Sequence, residues 1–508
     1  MPAIITASAL IIAGAFQTLS LNPFNLWPLS FLSIALAVGA TRLLDSSQSL
    51  APRKAFMYGW LIGFGLYASG ASWIYVSINS YGNASPLLAG SLTFSFVSGL
   101  ALFQGLCFWL FSKLRSQNVL LNAGLFSALW TLTDLFRSLF LTGFPWLFIG
   151  DTQTDGPLKP LLPVVGVYGV TFVICLSSAG AVAALSALKN HQKRIFYSYL
   201  LILSLVVTSL VPLSYAQWTE RIDKEISVAL VQLNIPQELK WQRSQREKTI
   251  QLLQQSVEGH KDADLIVWPE TALPVLYDRA KPLLDSIDTI AAAENTSIIT
   301  GIPYRGWSET HSANVMHNSI IGLGEASGIY HKQKLVPFGE YVPLQDVLRG
   351  LIDFFDLPMS DFRKGPSDQA LLSVQGLKVS PFICYEVVYP DFVASRARNA
   401  DVLLTISNDS WFGQSIGPHQ HLQIARTRSI ENGRFMIRAT NNGVTAIIDE
   451  QGNITTRIPQ FERASLEGKV SVVKGVTPYT SWGSIPTVLV CWLIIMCAFF
   501  NRKRRSSY

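Results

Sequence analysis

Hydrophobic positions fall into two regimes along this chain. Before residue 215 and after 483, apolar residues run in long, nearly unbroken blocks; between them, polar and apolar positions alternate as in an ordinary globular domain. The blocks cover roughly 3–20, 23–40, 56–77, 87–111, 119–140, 162–188 and 195–213, and an eighth, "SIPTVLVCWLIIMCAFF", covers about 484–500. A helix needs about 20 apolar residues to cross a hydrocarbon core, so the pattern predicts about eight transmembrane helices. The first two are short, separated only by "LNPFN", and could form one helical hairpin. A cleavable leader at 1–20 is disfavoured, because no basic segment precedes the apolar run and a second run follows at once.

The middle region alternates short apolar strands with amphipathic helices. "ISVALVQLN", "ADLIVWPE", "SIITGIP", "HNSIIGLG", "GIYHKQKLV", "LKVSPFICYE", "DVLLTISND", "ATNNGVTAIID", "GNITTRIP" and "SLEGKVSV" read as strands. "RSQREKTIQLLQQSVEG", "YDRAKPLLDSIDTIAAAE", "VYPDFVASRARNA" and a stretch near 417–432 read as helices, with apolar residues three and four apart in the first. Strands that are apolar on both faces and separated by helices imply an α/β domain. The organisation expected is therefore 1–214 as N-terminal membrane helices, 215–483 as the α/β domain, and 484–508 as a last membrane helix with a basic tail.

Composition agrees with a membrane protein. Only 15% of the 508 residues are charged and mean hydropathy is +0.29, whereas a soluble chain carries about a quarter charged residues. Lys and Arg sit in alternate short loops: Arg42, Arg53 and Lys54; Lys113 and Arg115; Lys189, Lys193 and Arg194; and "NRKRR" after the last span. The loops around 78–86 and 141–161 carry one lysine and no arginine. The positive-inside rule then puts both termini in the cytoplasm and residues 215–483 on the opposite face, the periplasm in a bacterial inner membrane. The net charge of +6 is topological and gives no reason to invoke nucleic acid.

Of the five cysteines, Cys107, Cys175, Cys491 and Cys497 lie in apolar blocks, and only Cys384 lies in the middle region. A lone cysteine there cannot pair within its domain, so it is either a buried small hydrophobe or a working thiol. Catalytic groups of α/β domains gather at the C-terminal ends of strands. Three candidates sit at such ends: Glu270 closing "LIVWPE", Lys332 within "IYHKQKLV", and Cys384 closing "SPFIC". A thiol is mostly protonated near neutrality; a carboxylate could take its proton and an ammonium could stabilise both thiolate and oxyanion. Acid, amine and thiol would suffice for acyl transfer without metal or cofactor. Each also has a plainer reading, as a helix N-terminal acid, a solvated lysine and a packed cysteine.

"WPETALP" (268–274), "YHKQKLVPFGEYVP" (330–343) and "ICYE" (383–386) resemble the Glu–Lys–Cys signatures of the nitrilase, or carbon–nitrogen hydrolase, superfamily. That resemblance implies an α-β-β-α sandwich over roughly 226–475, with Glu270 as general base, Lys332 (not Lys334) as oxyanion stabiliser and Cys384 as nucleophile. The membrane blocks, with "LIDFFDLPMS" (351–360), "LLTISNDSWFG" (403–413), "GPHQHLQIARTRSIE" (417–431) and "TNNGVTA" (440–446), resemble the apolipoprotein N-acyltransferases from end to end. The implied partners are a phospholipid acyl donor and a diacylated apolipoprotein acceptor, with no cofactor, no metal and a monomeric chain. The same resemblance places Glu340, Tyr385 and Glu386 in the supporting shell, the Tyr385 N–H facing the oxyanion, and makes Trp241, Asn318, Arg349 and Ser407 further functional positions.

A membrane-tethered amidase using water in place of an amine would employ the same three residues. A transporter would need broken spans with polar midplane groups, and only Asp134 and Arg137, three apart on one helical face and suited to pair with each other, are suggestive. "GLIDFFDLPM" (350–359) and "SWFG" (410–413) put bulky apolar groups in loops and are expected either to dip into the membrane interface as a lid or to complete the core. "HQH" at 419–421 lacks a third ligand cluster, which argues against metal.

Overall fold

The computed structural model describes residues 3–44, 50–308, 312–342 and 362–506. It divides into two compact units, one of residues 1–75, 86–217 and 482–508 and one of residues 76–85 and 218–481.

The first unit is helical. Pro86–Leu114, Val119–Thr142, Lys159–Lys189, Lys193–Tyr215 and Ile485–Arg502 are each long and apolar enough to cross a membrane. Pro52–Gly70 and Trp73–Tyr81 form a pair bent by 52°, and Ile4–Ser20 and Pro28–Thr41 are shorter apolar helices. Among the described residues, length and composition thus support five spans, or six with the bent pair. Helices approach closely where side chains vanish: a Cβ on Gly14 would lie 2.1 Å from the Ile62 carbonyl oxygen, and one on Gly65 2.1 Å from that of Ile11. The buried Arg137 pairs with Asp134 at 2.9 Å and also donates to the carbonyls of Phe144 and Trp146. The pair therefore fastens the chain that follows its helix.

The second unit is built on two sheets. One has the order β13-β1-β2-β3-β4-β6, with β1 Thr219–Gln232, β2 Leu265–Val267, β3 Ser297–Ser308, β4 Ala313–Gly324, β6 Ile329–His331 and β13 Ala464–Gly475. The other runs β12-β11-β10-β9-β8-β7-β5, with β5 Ala326–Ser327, β7 Leu372–Val374, β8 Leu377–Ile383, β9 Val402–Ser407, β10 Met436–Thr440, β11 Thr445–Ile448 and β12 Ile454–Ile458. Alternate residues of one strand serve different layers, as the two-residue period of a strand requires. Val228 and Leu230 of β1 join Val379, Ile383, Leu404 and Ile437 between the sheets. Ala229 and Val231 instead meet Leu253, Val257, Leu284 and Ile287 of helices Arg243–Gly259 and Tyr277–Ala293. Helices Pro390–Ala397 and Gly417–Asn432 accompany the second sheet, giving the nitrilase-like sandwich.

Several elements differ from the sequence reading. "ATNNGVTAIID" is two antiparallel strands with a turn at 441–444. "SIITGIP" extends to Ser308, because β4 pairs with it along the whole length, Ser297 with Gly324 through Ser308 with Ala313. "GIYHKQKLV" is a strand only to His331, so Lys332 opens a loop.

Candidate active site

Glu270 lies three residues past β2, in a segment held by Trp268, whose N–H donates to the Ile299 carbonyl at 2.9 Å and whose indole donates to Ser256 at 3.0 Å. The next residue, Thr271, has φ +49°, a conformation costing an L-residue about 1–2 kcal/mol. This backbone runs so close to β3 that a Cβ on Gly301 would sit 2.6 Å from the Thr271 nitrogen and 2.8 Å from the Glu270 Cα. Glu270 is buried, with Oε1 accepting from Asn318 Nδ2 at 2.7 Å and Oε2 from the Asn408 backbone N–H at 2.8 Å.

Lys332, 1% exposed, follows β6 and is anchored by its own N–H on the Asn318 carbonyl at 2.9 Å. Its Nζ donates to Glu340 Oε1 at 2.8 Å and lies 3.7 Å from Glu270 Oε1. Burial alone would lower its pKa, but the charges of Glu340, Glu270 and Cys384 overcome this and raise it, so the ammonium is fixed. Asn318 Nδ2 bridges the two carboxylates, reaching Glu340 Oε1 at 3.0 Å, while Glu340 Oε2 accepts the Val336 N–H at 2.9 Å. Glu340 and Asn318, both singled out in the sequence, therefore join Glu270 and Lys332 in one buried cluster.

Cys384 comes directly after β8, with φ +52°, and packs half-buried against the core between the sheets. Burial first, then the Glu270 carboxylate, pushes its thiol well above the ordinary value, against the opposing pull of Lys332 and a hydrogen bond with Ser407. Glu386 is fully buried and serves as a bracket. Its Oε2 accepts the Ile383 N–H at 2.8 Å; its Oε1 accepts the N–H groups of Gln333 and Lys334 at 2.6 and 3.1 Å and the Tyr330 hydroxyl at 2.8 Å. One carboxylate thus ties the loop of the cysteine to the loop of the lysine. Tyr385 is buried, its ring edge-on to Tyr389 at 5.5 Å between centroids.

The other sequence candidates fall differently. Ser407 ends β9 and donates to Asp409 Oδ1 at 2.5 Å. Trp241 is 40% exposed, in the loop before helix Arg243–Gly259. Arg349 and the 350–359 segment lie outside the described residues. In 410–413, Trp411 and Phe412 are half-buried; the Trp411 carbonyl accepts from Ser77 at 2.7 Å and its ring meets Tyr81 edge-on. Among the described residues no group of three His, Cys, Asp or Glu side chains is placed to hold a metal.

Two groups near the site escaped the sequence reading. Lys240, 4% exposed, donates from Nζ to the Glu270 carbonyl at 3.0 Å, and burial lowers its pKa to about 8 against the attraction of Glu270. Asn408, whose N–H holds Glu270, also donates from its side chain to Gln237 at 2.7 Å. A polar residue just past an apolar strand was the available signal for Asn408; "QELKWQ" offers none for Lys240.

A carboxylate, a fixed ammonium and a thiol within one another's electrostatic reach can move a proton, stabilise a charged oxygen and form a covalent bond, the requirements of acyl transfer through a thioester. Residues 227–474 match the carbon-nitrogen hydrolase family model, and residues 13–180 match the model of the apolipoprotein N-acyltransferase N-terminal domain. An apolipoprotein N-acyltransferase from Pseudomonas putida is 48% identical over 490 residues, 95% of this chain and 94% of that one. One from Pseudomonas syringae pv. tomato is 47% identical over 484 residues, again 95% and 94% of the two chains. The chain belongs to the apolipoprotein N-acyltransferase family.

Proposed function

We propose that the protein moves a fatty acyl chain from a phospholipid, through a thioester on Cys384, to the α-amino group of an N-terminal diacylglyceryl-cysteine on an apolipoprotein. The observation that carries the reading is the Glu270–Lys332–Cys384 cluster at the strand ends. Cys384 Sγ attacks the ester carbonyl carbon while its proton passes to Glu270. The ester C–O bond breaks, and the departing oxygen recovers that proton as a lysophospholipid leaves. The acceptor amine then attacks the thioester, yielding a proton to Glu270; the C–S bond breaks and the sulfur takes the proton back. One ester is consumed and one amide formed, with the enzyme unchanged. Lys332 and the Tyr385 N–H stabilise the oxyanion in both halves, and Glu340 orients Lys332. Nothing in this chemistry requires more than one copy of the chain.

Both substrates are anchored in lipid. Withdrawing an acyl chain into water costs about 0.8 kcal/mol per CH₂, on the order of 10 kcal/mol for a whole chain, so a site served from a bilayer avoids most of that barrier. We place the chain in a bacterial inner membrane with eight spans and residues 215–483 on the periplasmic face; the alternation of basic and non-basic loops supports this arrangement.

Intact-protein mass spectrometry after incubation with phosphatidylethanolamine tests the proposal. A hydroxylamine-labile acyl adduct on Cys384 is expected in the native protein, and none in C384S. An adduct of equal yield in C384S would refute the nucleophile.

A further inference from the structure

Behind Cys384 lies a buried polar frame that the acyl-transfer steps do not use. Its centre is His421, in the second turn of helix Gly417–Asn432 and fully buried. His421 Nε2 lies 3.2 Å from the Cys384 carbonyl oxygen. Its Nδ1 lies 3.1 Å from Asp409 Oδ1 and 3.2 Å from Arg438 Nη2. Arg438, also fully buried, donates from Nη2 to Asp409 Oδ2 at 2.6 Å and from Nε to the Val444 carbonyl at 3.2 Å. Asp409 Oδ1 in turn accepts the Ser407 hydroxyl, which is hydrogen-bonded to the Cys384 thiol.

The two ring nitrogens have different options. Nδ1 faces both an acceptor, Asp409, and a donor, Arg438, so it is served with or without a hydrogen. A backbone carbonyl can only accept, so the contact at Nε2 is a hydrogen bond only when Nε2 carries the proton. We infer that His421 is a positioning residue for the nucleophile: its Nε2–H, the form that the acceptor-only carbonyl requires and that Asp409 and Arg438 at Nδ1 tolerate, holds the Cys384 carbonyl so that the cysteine keeps its left-handed backbone and presents its thiol to the ester. His421 of the HQH motif thus serves the backbone of the nucleophile.

The φ of +52° at Cys384 gives this contact a purpose. A residue other than glycine held in that region persists only where its surroundings over-determine it. Glu386 fixes the N–H of Ile383 on one side; His421 fixes the carbonyl of Cys384 on the other. Of the two peptide planes flanking the nucleophile's Cα, the second is thus held by a buried side chain, His421, while Glu386 holds the plane one step further back, between Phe382 and Ile383. Rotation of the second plane would turn the following N–H, that of Tyr385, away from the oxygen it faces in the proposed reaction.

The inference rests on Cys384 being the nucleophile, and its test separates the two ideas. In H421L, acyl-adduct formation on Cys384 should slow by about tenfold or more, the loss of one oriented hydrogen bond in the transition state, with the phospholipid KM within about twofold. H421Q can place an amide N–H near the position of Nε2 and should recover most of the rate. Adduct formation in H421L at the native rate, or equal losses in H421L and H421Q, would overturn the assignment. Solid-state ¹⁵N spectra of the histidine-labelled native protein in bilayers need no variant to be active. They should show the His421 Nε2 protonated, and a bare Nε2 would overturn the inference even if both variants misfolded. Persistent adduct in C384S would instead refute the nucleophile while leaving the spectrum as expected.

Discussion

Lys240 offers a quantitative test of how far burial governs this unit. Its ammonium is 4% exposed and its pKa falls from 10.5 to about 8, burial being the main cause and Glu270 the opposing one. That fall corresponds to about 3 kcal/mol of differential free energy between the protonated amine in the folded and the unfolded chain. Because the folded value lies below the unfolded one, the unfolded chain binds more protons between about pH 8 and 10.5, and stability must rise with pH across that window. From about pH 7.5 to 10 the rise amounts to about 2 kcal/mol. K240M keeps the length of the side chain and removes the charge. It also removes the 3.0 Å bond to the Glu270 carbonyl, a loss of about 1–3 kcal/mol that does not depend on pH. The two proteins should therefore be of similar stability near pH 7.5, with the native protein gaining about 2 kcal/mol on the variant by pH 10. Denaturant unfolding of both in one detergent across that range measures the difference. Parallel profiles would refute the reasoning, showing that the amine is solvated or paired well enough to titrate normally.

Three further perturbations reach other parts of the unit. K332M leaves Glu270 and Glu340 without their shared cation, bridged only by Asn318; acyl transfer should fall by about 10²–10³ and stability by about 3–5 kcal/mol, and a folded variant within tenfold of native activity would remove the lysine from the site. G301A forces a methyl against the backbone of Thr271 and Glu270, overpacking that costs about 1–3 kcal/mol; initial rates of lysophospholipid release should drop, and an unchanged rate would mean that the segment has room to move. His331, half-buried with its ring 4.6 Å from that of His317, has a pKa lowered from 6.5 to about 4 by burial and then by His317. The unfolded chain therefore takes up protons first, stability is lost as pH falls from about 6.5 to 4, and H331Q should flatten that slope in the midpoint measured against pH.

Glu270 and Cys384 could be singled out because each ends an apolar run, where a chain leaving a sheet exposes its next polar side chain; Lys332, behind His331, was singled out by the resemblance of "YHKQKLVPFGEYVP" to the family signature. The limits of the strands were less legible. β6 stops at His331 because the N–H groups of Gln333 and Lys334 are taken by Glu386, more than fifty residues away, and no local pattern announces such a partner. The break in "ATNNGVTAIID" has the same origin, since Asn441 donates its amide to Ile235 and Asn408. Helix Gly417–Asn432 shows the deeper difficulty: every residue but His419 is buried although the segment is rich in Arg, Gln, His and Asn. Periodicity reports which side of a helix faces water. It carries no signal where polar side chains face a polar interior, so His421, with Asp409 and Arg438 beside it, could be placed only by the fold.

The same charges that raise the Cys384 pKa also make the proposed step economical. Glu270 puts a surplus of negative charge beside the thiol, and that surplus, added to burial, keeps the sulfur protonated at rest against the pull of Lys332. A thiolate is then not stored; it forms only as an ester carbonyl arrives and Glu270 takes the proton. At that moment the surplus charge leaves the carboxylate and reappears on the oxyanion, and it reverses when the leaving oxygen is protonated. The charge facing Lys332 is therefore displaced within the cluster and never newly created. An ammonium fixed by Glu340 at 2.8 Å can stabilise the reaction without reorienting, which is the condition under which a buried charge lowers a barrier most.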